Sequence, residues 1–518
     1  MTPARWPNML ALQLAARQAV LLAVLLTLAA PHAHAAPQAD TALGRVAGTQ
    51  DGELAIFRGL PYATPPVGAL RWTPPRPAMP WTGTRDATRF GLACAQQPGM
   101  SLENGGDVGP QGEDCLTLSI WSADPQPAAR RPVLVWLHGG AYLFGAGSLS
   151  LYDGSALARH GLVVVTVNYR LGALGFFAHP ALAREGQAMN FGLLDQIAAL
   201  RWVQQNIAAF GGDPTQVTLA GQSAGAQSVL SLMASPPARG LFHRAIAQSP
   251  YGLPSHTRAK ARDTAARQAD ALGLPGARAS AAALRALPAE RLATLMGPGL
   301  SLAPSPIVGD AALPTSILRA FQRGQQAPVP LLIGSNSDEA TVVRAFGIEP
   351  AQLVTKLGAA KLLVQGQYPG VTDPAELGRQ VARDAAFTAF ARRIAVLQAP
   401  KAPTWRYYFG HIAEGARTQQ PGVGHGGEIP AVFGTSALCQ CLGATPTAAD
   451  TALYDEVQAR WAAFALGGQP DVPGAPAWPR DGRLHSMVMV FDGQAQATPG
   501  FMRQRLDAFI LAARVLAR

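Results

Sequence analysis

The stretch Val217-Thr218-Leu219-Ala220-Gly221-Gln222-Ser223-Ala224-Gly225 joins a short apolar run to an Ala/Leu-rich segment of helical pattern. A serine between two such elements sits on a sharp strand-to-helix turn, where small neighbours are needed because a Cβ would clash. The turn leaves the hydroxyl exposed for attack. A serine hydroxyl is a weak nucleophile, so attack on a carbonyl requires a base and donors for the oxyanion close by. The Gly-x-Ser-x-Gly pattern alone is a modest signal in a chain of 518 residues with 54 glycines, so its partners must decide.

Upstream and downstream of this turn, strand-like and helix-like segments alternate from Pro132 onward. Val133 to Leu137 and Leu162 to Val167 are short, β-branched and nearly all apolar, as parallel strands buried on both faces must be. Further strands are expected at Ala245 to Ala247, Val329 to Ile333, Trp405 to Phe409 and Met487 to Phe491. Between Asp195 and Phe210 the residues Ile197, Leu200, Val203 and Ile207 share one helical face. The pattern predicts the α/β class: a mostly parallel central sheet flanked by helices. Residues 253–326, Ala/Arg-rich with scattered Gly and Pro, are expected to form an inserted helical region. The Pro-rich stretch Pro61 to Pro80 is expected to wrap the surface, and Gly467 to Pro479 reads as a loop.

Three other places supply what Ser223 lacks. His138-Gly139-Gly140-Ala141-Tyr142 directly follows the strand Val133 to Leu137, and consecutive small residues let backbone N–H groups converge on one point. Taken alone it is equally a tight glycine turn. Ser335-Asn336-Ser337-Asp338-Glu339 lies past the strand ending at Ile333, at the sheet edge where α/β folds place their sites. Either carboxylate there could orient a histidine, although an isolated acidic loop is ordinarily only solvated. Gly422-Val423-Gly424-His425-Gly426-Gly427-Glu428 puts a histidine on a glycine-rich loop. The chain order Ser, acid, His matches that of the α/β-hydrolase fold, and together the motifs outweigh their separate bland readings.

At this point the text resembles the type-B carboxylesterases, the cholinesterase-like branch of that fold. The resemblance runs through Phe57-Arg58-Gly59-Leu60-Pro61-Tyr62-Ala63 with Pro65-Pro66-Val67-Gly68, Glu113-Asp114-Cys115-Leu116, and Asn168-Tyr169-Arg170. It continues through Asn190-Phe191-Gly192-Leu193-Leu194-Asp195-Gln196, Phe210-Gly211-Gly212-Asp213-Pro214, the Ser223 turn, Leu241-Phe242-His243-Arg244-Ala245-Ile246 and the His425 loop. It implies Ser223 as nucleophile, Glu339 rather than Asp338 as the acid and His425 as the base. It further implies an oxyanion hole from the N–H groups of Gly140, Ala141 and Ala224, and Ser249 as a supporting polar residue. A Cys94–Cys115 disulfide and buried Arg71–Glu113 and Arg170–Asp195 pairs belong to the same resemblance.

Three positions depart from it. Gln222 stands where many relatives carry Glu, and the loop Ala95 to Asp114 contains no aromatic residue. Cholinesterases place a tryptophan there to hold a quaternary ammonium by cation–π attraction, so these two changes argue against choline esters. Ala340 follows the acid in place of the usual glycine. The expected reaction is hydrolysis of a small-molecule carboxylic ester through an acyl-enzyme. Amide, lactone or polyester cleavage by the same triad is the alternative, and a non-catalytic adhesion scaffold is a more distant one. No metal or organic cofactor is expected.

Composition bounds the rest. With 48% hydrophobic and 14% charged residues the chain can bury a large core and is too apolar for disorder. Residues 1–35 read as a secretory signal, with Arg5 and Arg17, an apolar run from Ala19 to Ala30 and a small-residue site at Ala33-His34-Ala35. That run is too short to span a bilayer. The expectation is a secreted or periplasmic protein with one domain from 36 to 518. The net charge of +10 comes from scattered arginines with no basic run or aromatic platform, which argues against a nucleic-acid partner. The sequence leaves Cys439 and Cys441 as bridged or free, and gives no oligomeric state.

Overall fold

The computed structural model describes residues 36–99, 107–253, 255–295, 306–345, 349–355, 361–438 and 443–516. Residues 1–35, where the secretory signal is expected, and Cys439 and Cys441 lie outside the described residues. Residues from Pro37 onward form one compact unit.

Its centre is a sheet built from β1 (Thr49–Asp51), β2 (Leu54–Pro61), β3 (Thr117–Ser122), β4 (Arg131–Leu137), β5 (Val163–Val167), β6 (Gly212–Gln222), β7 (Arg244–Gln248), β8 (Leu331–Asn336), β9 (Thr404–Phe409), β10 (Met487–Asp492) and β11 (Gln494–Pro499). The spatial order is β11-β10-β9-β8-β7-β6-β4-β5-β3-β2-β1. Strands β4 to β10 run parallel to their neighbours. The flanking strands β1, β2, β3 and β11 are antiparallel. Every residue of β5 is buried. Side chains alternate between faces, so Val163, Val165 and Val167 join one core while Val164 joins the other. Covering both faces with helices is what turns a half-polar alternation into the continuous apolar run seen in the sequence.

The expected parallel strands are all present. The antiparallel strands β1 to β3 fall before the alternation that the sequence displays, and extend the sheet beyond it. The helix expected over Asp195 to Phe210 instead spans α1 (Phe191–Asn206), and Ile207–Phe210 tightens into a 3₁₀ turn. Asn190 stands at the N-cap but spends its amide on Ile307 O and Asp310 Oδ1, 2.7 and 2.9 Å away. Asp195 marks no helix start. It lies in the second turn, fully buried, and receives Arg170 through Nη2 to Oδ1 at 2.7 Å and Nε to Oδ2 at 2.8 Å.

The insertion is not wholly helical. Its helices at Arg258–Ala271, Ala281–Arg285, Ala289–Ala293 and Ile317–Gln322 are accompanied by a parallel pairing of His256–Thr257 with Ile307–Val308. The Pro-rich stretch folds back on itself, bridging Ala63 to Pro77 across a 3₁₀ turn at Gly68–Leu70. A disulfide joins Cys94 to Cys115, and Arg71 grips Glu113 with Nε to Oε1 at 2.7 Å.

Candidate active site

Strand β6 ends in Gln222, and Ser223 begins the next helix, α2 (Ala224–Met233), with φ +57° and ψ −120°. Such a backbone costs ~1–3 kcal/mol and persists only where its surroundings impose it. Here the Ser223 N–H donates to Gln248 O at 2.8 Å, and Ser223 O accepts the N–H of Gln227 at 2.9 Å. The flanking glycines are required by contact. A Cβ on Gly225 would lie 1.9 Å from Leu137 O, and one on Gly221 would lie 2.6 Å from the carbonyl carbon of Gly225.

The glycine loop after β4 lies against this turn. A Cβ on Gly139 would come within 3.1 Å of Gln222 O and 3.2 Å of Ser223 Cβ, so the loop leaves no room for a side chain there. Gly140, Ala141 and Tyr142 follow with φ of +104°, +54° and +60°. Among the described residues the N–H groups of Gly140 and Ala141 reach no internal acceptor, and Ala224, first in its helix, has no intrahelical one. Unspent donors beside a serine hydroxyl are what an oxyanion requires. His138 anchors the start of the loop. Its ring stacks on Tyr169 at 4.4 Å, its Nδ1–H donates to Gly139 O at 2.8 Å, and burial pushes its pKa down to about 4.

The loop bearing Asp338 and Glu339 follows β8. Asp338 and Glu339 are adjacent in sequence and have different partners. Glu339 is fully buried and its Oε2 accepts His425 Nδ1–H at 2.5 Å. Its Oε1 accepts the Ser249 hydroxyl at 2.6 Å and the Asn336 N–H at 2.7 Å. Asp338 points the other way and pairs with Arg379 at 3.3 Å. The two loops are stitched together, since Asp338 N donates to Val423 O at 2.8 Å and His425 N donates to Thr341 Oγ1 at 2.9 Å. Ala340 has no positive φ and starts a helix, Ala340–Ala345, so the glycine of the resemblance is not needed here.

With Nδ1 donating to Glu339, the imidazole Nε2 is the acceptor. It faces Gln222 Nε2 at 3.2 Å, directly beside the Ser223 turn. Ser223, Glu339, His425, Ser249, Gln222 and the Gly140–Ala141 loop are therefore brought to one end of the parallel strands. An imidazole oriented by a carboxylate beside a serine turn is the arrangement that acyl transfer uses.

Two neighbours escaped sequence reasoning. Phe387 lies on a π-helical turn (Asp384–Thr388) and tilts its ring 5.2 Å from that of His425. Nothing local in the sequence marks a π turn. Glu428, three residues past His425, is fully buried and accepts Asn336 Nδ2 and Gln248 Nε2 at 2.5 and 3.0 Å. Burial first, and the charge of Glu339 second, raise its carboxyl above the usual range. An acid one turn after a glycine-flanked histidine was the signal available for it. Among the described residues no group of His, Cys, Asp and Glu is arranged to hold a metal ion.

Comparison with known proteins shows the family. The model of the carboxylesterase family matches residues 35–363 and 373–509. Fumonisin B1 esterase of Sphingopyxis macrogoltabida is 37% identical over 487 residues, covering 89% of this chain and 87% of that protein. Para-nitrobenzyl esterase of Bacillus subtilis (strain 168) is 35% identical over 453 residues, covering 85% and 91%. Among solved structures, a Geobacillus stearothermophilus carboxylesterase at pH 6.2 superposes with a TM-score of 0.79 at 31% identity, over 91% of this chain and 99% of that one.

Proposed function

The chain belongs to the carboxylesterase family, and from that premise we propose that it works through an acyl group carried on Ser223, with His425 as base and Glu339 as its orienting acid. It is a serine carboxylic-ester hydrolase of α/β-hydrolase fold. In the first step His425 Nε2 takes the Ser223 proton as Oγ attacks the ester carbonyl. The N–H groups of Gly140, Ala141 and Ala224 receive the negative charge on the carbonyl oxygen. The alcohol leaves with the proton from His425, and water repeats the sequence to release the acid. The observation that carries this assignment is the Glu339–His425 hydrogen bond, which points Nε2 back toward the Ser223 turn.

The substrate class is esters of uncharged alcohols. Gln222 places a neutral amide beside His425, and Ala95 to Asp114 offers no aromatic face to a cation. A desolvated cation–π contact is worth about 2 kcal/mol, so its loss predicts kcat/KM for butyrylthiocholine at least ~30-fold below that for p-nitrophenyl butyrate. Comparable values for the two would contradict this. The relatives are esterases and hydrolases by name, which does not favour the amide, lactone or scaffold readings.

Export is proposed on the signal-like residues 1–35 and is supported by the Cys94–Cys115 disulfide, a bond of oxidising compartments. No helix among the described residues is long and apolar enough to cross a membrane. Amino-terminal sequencing of the native protein should begin at Ala36, and a start at Met1 would contradict export by cleavage.

A further inference from the structure

The oxyanion loop carries two consecutive non-glycine residues in left-handed backbone, Ala141 and Tyr142. Such a pair holds its shape only if something outside it imposes the shape. On one flank the Tyr142 hydroxyl accepts the Ser228 Oγ–H at 3.1 Å. The opposite flank is held from a segment remote in sequence. Gln96 is 3% exposed, and its Oε1 accepts the Gly145 N–H at 2.8 Å while its Nε2 donates to Gly145 O at 3.0 Å. One side-chain amide thus makes the pair of bonds that a neighbouring strand would make.

Gly145 in turn lies flush beneath the oxyanion turn. With φ +107°, a Cβ there would meet His138 Nδ1 at 2.6 Å and Gly139 O at 2.8 Å, and Gly139 is the residue whose other side abuts Ser223 Cβ. Gln96 is itself fixed. Its Nε2 also donates to Cys94 O at 2.9 Å, its N–H donates to Gln111 Oε1 at 3.1 Å, and Cys94 is bonded to Cys115.

We propose that Gln96 is a positioning residue for the oxyanion hole: by clamping Gly145 it holds the Gly139–Gly140–Ala141 turn in register with Ser223. This rests on the hydrolytic reading above and deepens it. Donors preorganised toward a developing charge act more strongly on the transition state than on bound ester. Loosening the clamp therefore lowers kcat and leaves KM nearly unchanged. A purely structural role would lower the yield or Tm of folded protein without changing the turnover of each competent site.

Gln96→Met keeps the side-chain length and deletes both bonds to Gly145. With competent sites counted by burst titration, kcat for p-nitrophenyl butyrate should fall about 10- to 100-fold, the range of a weakened oxyanion donor, with KM within about twofold. Inhibition by a trifluoromethyl ketone, whose hemiketal oxyanion uses the same donors, should weaken by the same factor. Gln96→Glu, which keeps an acceptor for the Gly145 N–H but sets a carboxylate oxygen against Gly145 O and Cys94 O, should lower kcat at least as far as Gln96→Met with KM again nearly unchanged, and carries the same readouts should Gln96→Met fail to fold. Unchanged kcat per competent site, or a rise in KM alone, would overturn the proposal. An unaltered protein inert to both ester and ketone would instead remove the hydrolytic reading, so the two failures are distinguishable.

Discussion

Ser223→Ala should lower kcat for p-nitrophenyl butyrate by at least ~10⁴-fold with Tm essentially unchanged. The substitution removes one oxygen and keeps the backbone, which is held by the Ser223 N–H to Gln248 O and the Gln227 N–H to Ser223 O. No neighbouring hydroxyl replaces it. Ser249 is committed to Glu339 Oε1 and Ser228 to the Tyr142 hydroxyl. Residual activity would come from the oxyanion donors acting on water's own attack, a contribution of ~10³–10⁴ over the uncatalysed rate in other serine hydrolases. A loss below about tenfold would mean that the acyl group is carried elsewhere.

Glu339→Gln should cost ~10³–10⁴-fold in kcat, while Asp338→Asn should leave it within about threefold. Glu339 accepts three donors: His425 Nδ1–H, the Asn336 N–H and the Ser249 hydroxyl. A glutamine has one acceptor oxygen and an NH₂ group. If the NH₂ faces His425, the ring is driven to the tautomer with the proton on Nε2, which cannot take the proton of Ser223. If it faces the other way, it confronts two donors. Asp338 touches none of these groups. Its partner Arg379 retains Glu376, 2.7 Å away, and Ser337 O, so the loss of that carboxylate is felt as stability rather than rate. Measured kcat values in the reverse order would move the acid assignment to Asp338.

The parts of this molecule legible in the sequence are those set by burial on both faces and by tight backbone contact. Val163 to Val167 reads as a central strand because each of its side chains enters a core. The Ser223 turn is legible because Gly221 and Gly225 have no room for a Cβ. Strand β2 was hidden because Arg58, Gly59 and Pro61 break any alternation, and its partner β3 is far along the chain. The sequence places the start of α1 late because Asn190 is recruited by Asp310, more than a hundred residues away. Within the site, motif order singles out the loop bearing Asp338 and Glu339, but only tertiary contacts separate the two carboxylates. Those contacts come from Ser249, His425 and Arg379. Phe387 and Gln96 have no local signature at all, since each acts through a partner that is distant in sequence.

The account depends on Ser223 being the activated nucleophile, and a phosphonate ester that labels activated serines tests this directly. Mass spectrometry of the digested protein should find one stoichiometric adduct, on the peptide bearing Ser223, and His425→Ala should abolish it. An unlabelled protein that still hydrolyses p-nitrophenyl butyrate, or an adduct on another residue, would contradict the account.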